Sequence, residues 1–198
     1  VDPDRHVNRI MSQMMQDLRM PCEPRHIECF DNSNIQGNSP VSACVVFRDG
    51  KPAKSEYRNF NVKTVVGADD YATMEEVVYR RYRRLTDEGS ELPQLIVIDG
   101  GKGQLSSAVK ALDKLNLSSK ISIVGIAKRL EELYFPKDPI PLYLDKRSES
   151  LKILQQARNE AHRFSIAHHR KKRGKISITS QLESINGIGP ASQKILLT

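Results

Sequence analysis

The sequence predicts a mixed α/β protein: antiparallel and then parallel strands in one sheet, flanked by helices and followed by a small all-α segment at the C-terminus. Three observations predict it. Apolar stretches joined by hairpin-type turns occupy residues 27–62, and apolar runs then alternate with segments of helical period up to about residue 175. Beyond that point a pair of glycines interrupts a pattern that is otherwise helical.

Residues 1–25 carry Ile10, Met14, Met15 and Leu18 at roughly helical spacing and end at Met20-Pro21, so they are read as an amphipathic helical segment. Ile27-Glu28-Cys29-Phe30-Asp31 is a short strand, and Asn32 to Pro40 is polar and turn-forming. Val41 to Phe47 is a second strand, Asp49-Gly50 a hairpin turn, and Ser55 to Val62 a third strand. Met74, Val77, Val78, Tyr82 and Leu85 then recur at helical spacing, with Asp69 or Asp70 as the N-cap. Leu95-Ile96-Val97-Ile98, bounded by Pro93 and Gly100-Gly101, is the uninterrupted apolar run of a strand buried on both faces. A helix follows from about Gly103 to Leu115, and Ile121 to Ile126 is the next strand. Glu132 to Phe135 and Leu142 to Leu144 are read as a hairpin, and Ser148 to about Arg173 as a long helix with Leu154, Ala157, Ala161 and Phe164 facing the core. Three hairpin-linked strands, then helix, strand, helix, strand and helix, is the element order of the ribonuclease H fold. The expected domains are a helical segment over 1–25, the α/β domain over 26–175 and a separate segment over 176–198.

A chain of 198 residues can bury a substantial core, and 38% hydrophobic with 28% charged residues is ordinary for a globular protein. No apolar run approaches the roughly 20 residues needed to span a bilayer. The chain opens on Val1-Asp2-Pro3 without an initiator Met or a signal segment, and is read as a piece of a longer cytoplasmic protein. Cys22, Cys29 and Cys44 are odd in number and form no CxxC pair, which points to buried reduced thiols rather than disulfides or zinc. The net charge of +7 is concentrated late: Arg163, Arg170, Lys171, Lys172, Arg173 and Lys175 fall within a stretch free of acids. Such a cluster suits a phosphate backbone, and equally a solvated basic face or linker.

In Leu182-Glu183-Ser184-Ile185-Asn186-Gly187-Ile188-Gly189-Pro190 one helix ends and another starts around Gly187 and Gly189. This is the helix-hairpin-helix pattern, whose glycines turn backbone N–H groups toward a DNA phosphate. An ordinary αα turn is the plainer alternative.

Asp31 ends a strand on the face of Ile27 and Cys29, so a carboxylate points where a hydrophobe would normally sit. Taken alone it is a capping or turn residue. Asp99 follows the buried run at the carboxyl end of a central strand, the edge at which open α/β sheets bind ligands. Two such acids on neighbouring strands repel each other unless a cation lies between them, and their oxygens suit Mg²⁺ or Mn²⁺. His162 lies one position round from Ala161 and borders the buried face; it is a half-buried histidine, or a third ligand, or a group that orients or deprotonates water. Asp70 is favoured as an additional acid near the site. Lys102, three residues after Asp99, is either a phosphate contact or a solvated loop lysine. Gly100-Gly101-Lys102-Gly103 lacks the spacing of a phosphate-binding P-loop, and there is no Gly-x-Ser-x-Gly elbow.

Four strings sharpen this reading: Ile27 to Asn34, Gly67-Ala68-Asp69-Asp70-Tyr71, Ile98 to Leu105, and Arg158-Asn159-Glu160-Ala161-His162-Arg163-Phe164. In order and spacing they resemble the successive motifs of the C-terminal half of the UvrC family, over nearly all of residues 26–175. The resemblance implies a ribonuclease H-like endonuclease whose Asp-Asp-His centre maps onto Asp31, Asp99 and His162, with Asp70 also needed for cutting. It further implies a bacterial nucleotide excision repair enzyme that makes the 5′ incision in lesion-bearing double-stranded DNA after UvrA and UvrB have located the damage. The 3′ incision belongs in that family to an N-terminal GIY-YIG domain. Two departures stand out: the family's helix-hairpin-helix module is a tandem whereas this chain carries one hairpin and a short second helix, and Leu144-Asp145-Lys146-Arg147-Ser148 replaces the family's Leu-Pro-Arg version. A non-catalytic DNA-binding module of the same fold, and a ribonuclease, are the rival readings.

Overall fold

The computed structural model of the protein describes residues 2–33, 40–62, 69–127, 132–185 and 189–196. In chain order the elements are α1 (Pro3–Asp17), β1 (His26–Ser33), β2 (Val41–Arg48), β3 (Lys51–Pro52), a single 3-10 turn (Lys54–Glu56), β4 (Arg58–Asn61), α2 (Asp70–Asp87), β5 (Leu95–Asp99), α3 (Lys102–Lys114), β6 (Ser122–Ile126), β7 (Leu133–Tyr134), α4 (Glu149–Glu183) and α5 (Pro190–Leu196). Contacts divide the chain into two units, residues 1–165 and 166–198.

In the first unit one sheet runs β3-β2-β1-β5-β6-β7, with β4 also pairing with β2. β1 is antiparallel to β2 and parallel to β5, β5 is parallel to β6, and β7 closes the far edge antiparallel. The expected order of antiparallel and then parallel strands is the order observed. Side chains alternate between the faces of a strand, so Ile27 and Cys29 join Leu95 and Val97 on one face, beneath Met11 and Met14 of α1 and Leu154, Ala157 and Ala161 of α4. Phe30, Ile96 and Ile98 take the other face, with Met74, Val77, Val78 and Tyr82 of α2 and Ala108 and Leu112 of α3. Each large apolar side chain fully buried in these layers contributes roughly 1.5–3 kcal/mol.

Several boundaries differ from expectation. On α1, begun by the Asp2 carboxylate accepting from the Asp4 N–H and by Pro3, the fully buried residues are Met11 and Met14, whereas Ile10 and Met15 are half-buried. The Asp49-Gly50 turn has φ of +51° and +78°, the left-handed pair a two-residue hairpin demands. Of the third strand expected over Ser55 to Val62 only β4 (Arg58–Asn61) forms: the 3-10 turn takes Lys54–Glu56, and the short β3 lies upstream at Lys51–Pro52, both strands pairing with β2. Pro52 brings no N–H to the ladder and ends β3 there. The second hairpin reduces to β7 and one bridge from Leu133 to Leu142. Cys29 and Cys44 are buried as expected, but Cys22 is exposed in the turn after α1.

Glu28 points to the α2 face, fully buried, where a hydrophobe would be expected. Arg81 grips it through both oxygens, Nε donating to Oε1 at 2.6 Å and Nη2 to Oε2 at 2.7 Å, and the Tyr82 hydroxyl and His26 complete its shell at 2.8 Å each. Burial pushes this carboxyl up, but the hydrogen bonds from Arg81 and His26 outweigh it and hold the group at about 2.

The second unit consists of the C-terminal part of α4, the turn at Ser184-Ile185 and α5. α4 does not stop near Arg173 but continues to Glu183, through position 175, where the sequence reading placed a boundary. A lone Gly174 costs only about 1 kcal/mol in a helix and the stretch contains no proline, so nothing ends it earlier. Among the described residues no helix is long and apolar enough to cross a membrane.

Candidate metal centre

The register of two parallel strands builds the site. Cys29 lies opposite Val97 and Phe30 opposite Ile98, so the next residues, Asp31 and Asp99, leave the sheet side by side on the α1 and α4 face. Both are buried, at 3% and 7% exposure. Ser42 Oγ donates to the Asp31 carbonyl at 3.1 Å and fixes the end of β1. On α4, Leu154, Ala157 and Ala161 follow helical spacing into the core, and His162 lies about 100° round from Ala161. Its side chain is therefore 55% exposed at the rim, with Nδ1 3.3 Å from Asp31 Oδ2.

Asp31, Asp99 and His162 each offer one ligand atom, and these atoms all lie within 4.8 Å of one another. The donor set fits a hard divalent cation: two carboxylates held together away from water are stable only with positive charge nearby, and oxygen with imidazole suits Mg²⁺ or Mn²⁺. Burial pushes the Cys29 thiol well up, and the Asp99 and Asp31 charges push it further. Among the described residues the ligand cluster does not include Cys29, which is buried as a thiol beneath it.

Asp69 is the N-cap of α2, its carboxylate accepting from the N–H groups of Tyr71 and Ala72 at 3.1 and 3.0 Å. Asp70 is the first residue of that helix, exposed, and its carbonyl accepts from Asn32 Nδ2 at 2.9 Å. The start of α2 is thereby tied to the end of β1, although the Asp70 carboxylate is not in the three-residue cluster. Lys102 opens α3, with its ammonium on the Pro139 carbonyl at 2.9 Å and 5.4 Å above the Tyr134 ring.

Residues 15–166 match the family described as the UvrC RNase H endonuclease domain. The chain belongs to that family. It is 69% identical over 198 residues to the UvrABC system protein C of Flavobacterium johnsoniae and 56% identical over 197 residues to that of Porphyromonas gingivalis, covering 100% of this chain and 33% of each relative. The chain therefore spans about a third of the length of the curated relatives it matches. Among solved structures, the catalytic domain of human endonuclease V is similar with a TM-score of 0.47 and 14% identity, covering 86% of this chain and 97% of that one.

Within this UvrC RNase H endonuclease domain, sequence reasoning overlooked the Glu28 network and the position of Tyr71; the only signal for Glu28 was a charge at an inward strand position. In the second unit, Arg170, Lys171, Arg173 and Lys175 are exposed and Lys172 is half-buried. At 100° per residue they surround α4 rather than forming one stripe. Arg163 is already paired with Glu160 at 2.8 Å. Gly189 is exposed just before α5, and Gly187 lies outside the described residues.

Proposed function

We propose that this chain is a divalent-metal-dependent endodeoxyribonuclease, which makes the 5′ incision beside a DNA lesion in bacterial nucleotide excision repair. The convergence of Asp31, Asp99 and His162 within 4.8 Å is the observation that carries this reading. Asp31 and Asp99, at the ends of parallel strands, would hold the metal, and His162 would complete the ligand set from α4. When bound, Mg²⁺ or Mn²⁺ supplies an acidified water and neutralises charge on the scissile phosphate. Asp70, anchored beside β1 through Asn32, is the further acid at the site. The exposed basic residues Arg170, Lys171, Arg173 and Lys175, with Lys172, Gly187 and Gly189, hold the backbone of double-stranded DNA without reading sequence. Lys102 would contribute a phosphate contact on leaving Pro139. Family membership supports UvrA and UvrB as the partners that deliver the lesion, and chromosomal DNA as substrate puts this work in the cytoplasm.

The test is incision by the chain within a full-length UvrABC system protein C, reconstituted with UvrA and UvrB. A lesion-bearing DNA duplex should be cut on the 5′ side with Mg²⁺ or Mn²⁺ and left uncut in chelator. Preferential cleavage of an RNA–DNA hybrid would favour the ribonuclease reading, and undiminished cutting without divalent metal would refute the proposed chemistry.

A further inference from the structure

We infer that Tyr71 is a stacking platform for a nucleobase next to the scissile phosphate, a substrate-positioning residue whose role rests on the nuclease reading above. Tyr71 is 57% exposed, while Thr73 and Met74, two and three residues on, are fully buried. Among the described residues Tyr71 joins neither of the aromatic pairs and neither of the cation–ring contacts. One side of the ring nonetheless rests tightly on backbone. A Cβ added at Gly103 would lie 2.5 Å from both Cζ and the hydroxyl of Tyr71. Glycine in the first turn of α3 costs about 1 kcal/mol relative to alanine, and here it leaves room for the aromatic side chain.

The placement gives the ring a task. α2 starts beside β1, through the bond from Asn32 to the Asp70 carbonyl, and α3 starts three residues after Asp99. Tyr71 thus bridges the first turns of two helices that begin at the carboxylate-bearing strand ends. A ring backed by a glycine and open toward solvent at that spot offers its π-surface to whatever lies next to the reacting phosphate. In DNA the planar, apolar group next to a backbone phosphate is a base, and stacking on it is tolerant of sequence, as a repair nuclease requires.

Two measurements on the chain within the full-length protein decide the matter. In steady-state incision of lesion DNA with UvrA and UvrB, Tyr71→Ala should raise KM about 5- to 150-fold, the range expected for losing one base–aromatic stack, with kcat little changed. Tyr71→Phe should restore nearly all of it, and Gly103→Ala, whose methyl displaces the ring, should resemble Tyr71→Ala. In equilibrium binding without divalent metal, 2-aminopurine placed beside the incised bond should change its fluorescence with the wild type and Tyr71→Phe but not with Tyr71→Ala. Wild-type incision together with an indifferent Tyr71→Ala in both measurements overturns the stacking role alone. The same holds if Tyr71→Phe fails as badly as Tyr71→Ala, since the hydroxyl and not the ring face would then matter. A wild type that neither binds nor incises lesion DNA overturns the nuclease reading and this inference with it.

Discussion

Replacing Asp31 with asparagine is expected to lower the incision rate by at least about 10²- to 10³-fold, the scale on which removing one preorganised electrostatic group acts. Binding of lesion DNA should be nearly unchanged. The substitution keeps the side chain's size and position at the end of β1 but removes one of the two charges proposed to hold the cation. Its physical signature is separable from activity. A ligand that binds only the folded state stabilises it by about 2.7 kcal/mol at a concentration 100-fold above Kd. Mn²⁺ should therefore raise the thermal midpoint of the wild type and leave that of Asp31→Asn where it was. A non-catalytic module of the same fold predicts the opposite: incision supplied elsewhere and an indifferent Asp31→Asn.

Replacing Arg81 with leucine is expected to cost about 3–5 kcal/mol of folding stability at neutral pH, because it strands a buried carboxylate without its bidentate partner. The pH dependence gives the sign. In the wild type Glu28 sits at about 2, below its ordinary range, so its contribution is complete above about pH 4.5 and is lost as pH falls toward 2. Without Arg81 only the hydrogen bonds from His26 and Tyr82 oppose the burial that pushes Glu28 up, so the deficit is largest at neutral pH and shrinks as pH falls toward 2. Urea unfolding of the two proteins should give curves far apart at pH 7 that converge on acidification. The double replacement Glu28→Gln, Arg81→Leu should recover much of the loss, since removing both charges leaves neither buried alone.

The local grammar of the chain was legible. The unbroken Leu95 to Ile98 run located the central strand and put Asp99 at its carboxyl end, and the alternation Ile27, Cys29, Asp31 assigned the second acid to a face. The period of Leu154, Ala157 and Ala161 placed His162 at the border of that face. Periodicity says which way a side chain points, not what it meets. The grip of Arg81 on Glu28 joins residues 53 positions apart, and only the folded α2 over β1 brings them together. The start of the strand read from Ser55 went into a 3-10 turn, leaving only Arg58–Asn61 to pair with β2, and α4 ran past Arg173 because glycine alone is a weak stop. Asp69 and Asp70 were indistinguishable by type, and only the hydrogen bonds to the Tyr71 and Ala72 N–H groups identify the cap.

The most direct measurement is anomalous diffraction from a crystal of this chain soaked in Mn²⁺. The account predicts one strong peak coordinated by carboxylate oxygens of Asp31 and Asp99 and by a nitrogen of His162, and its disappearance in Asp31→Asn. A peak elsewhere with this trio empty at saturating Mn²⁺, or the three side chains drawn apart, would contradict it.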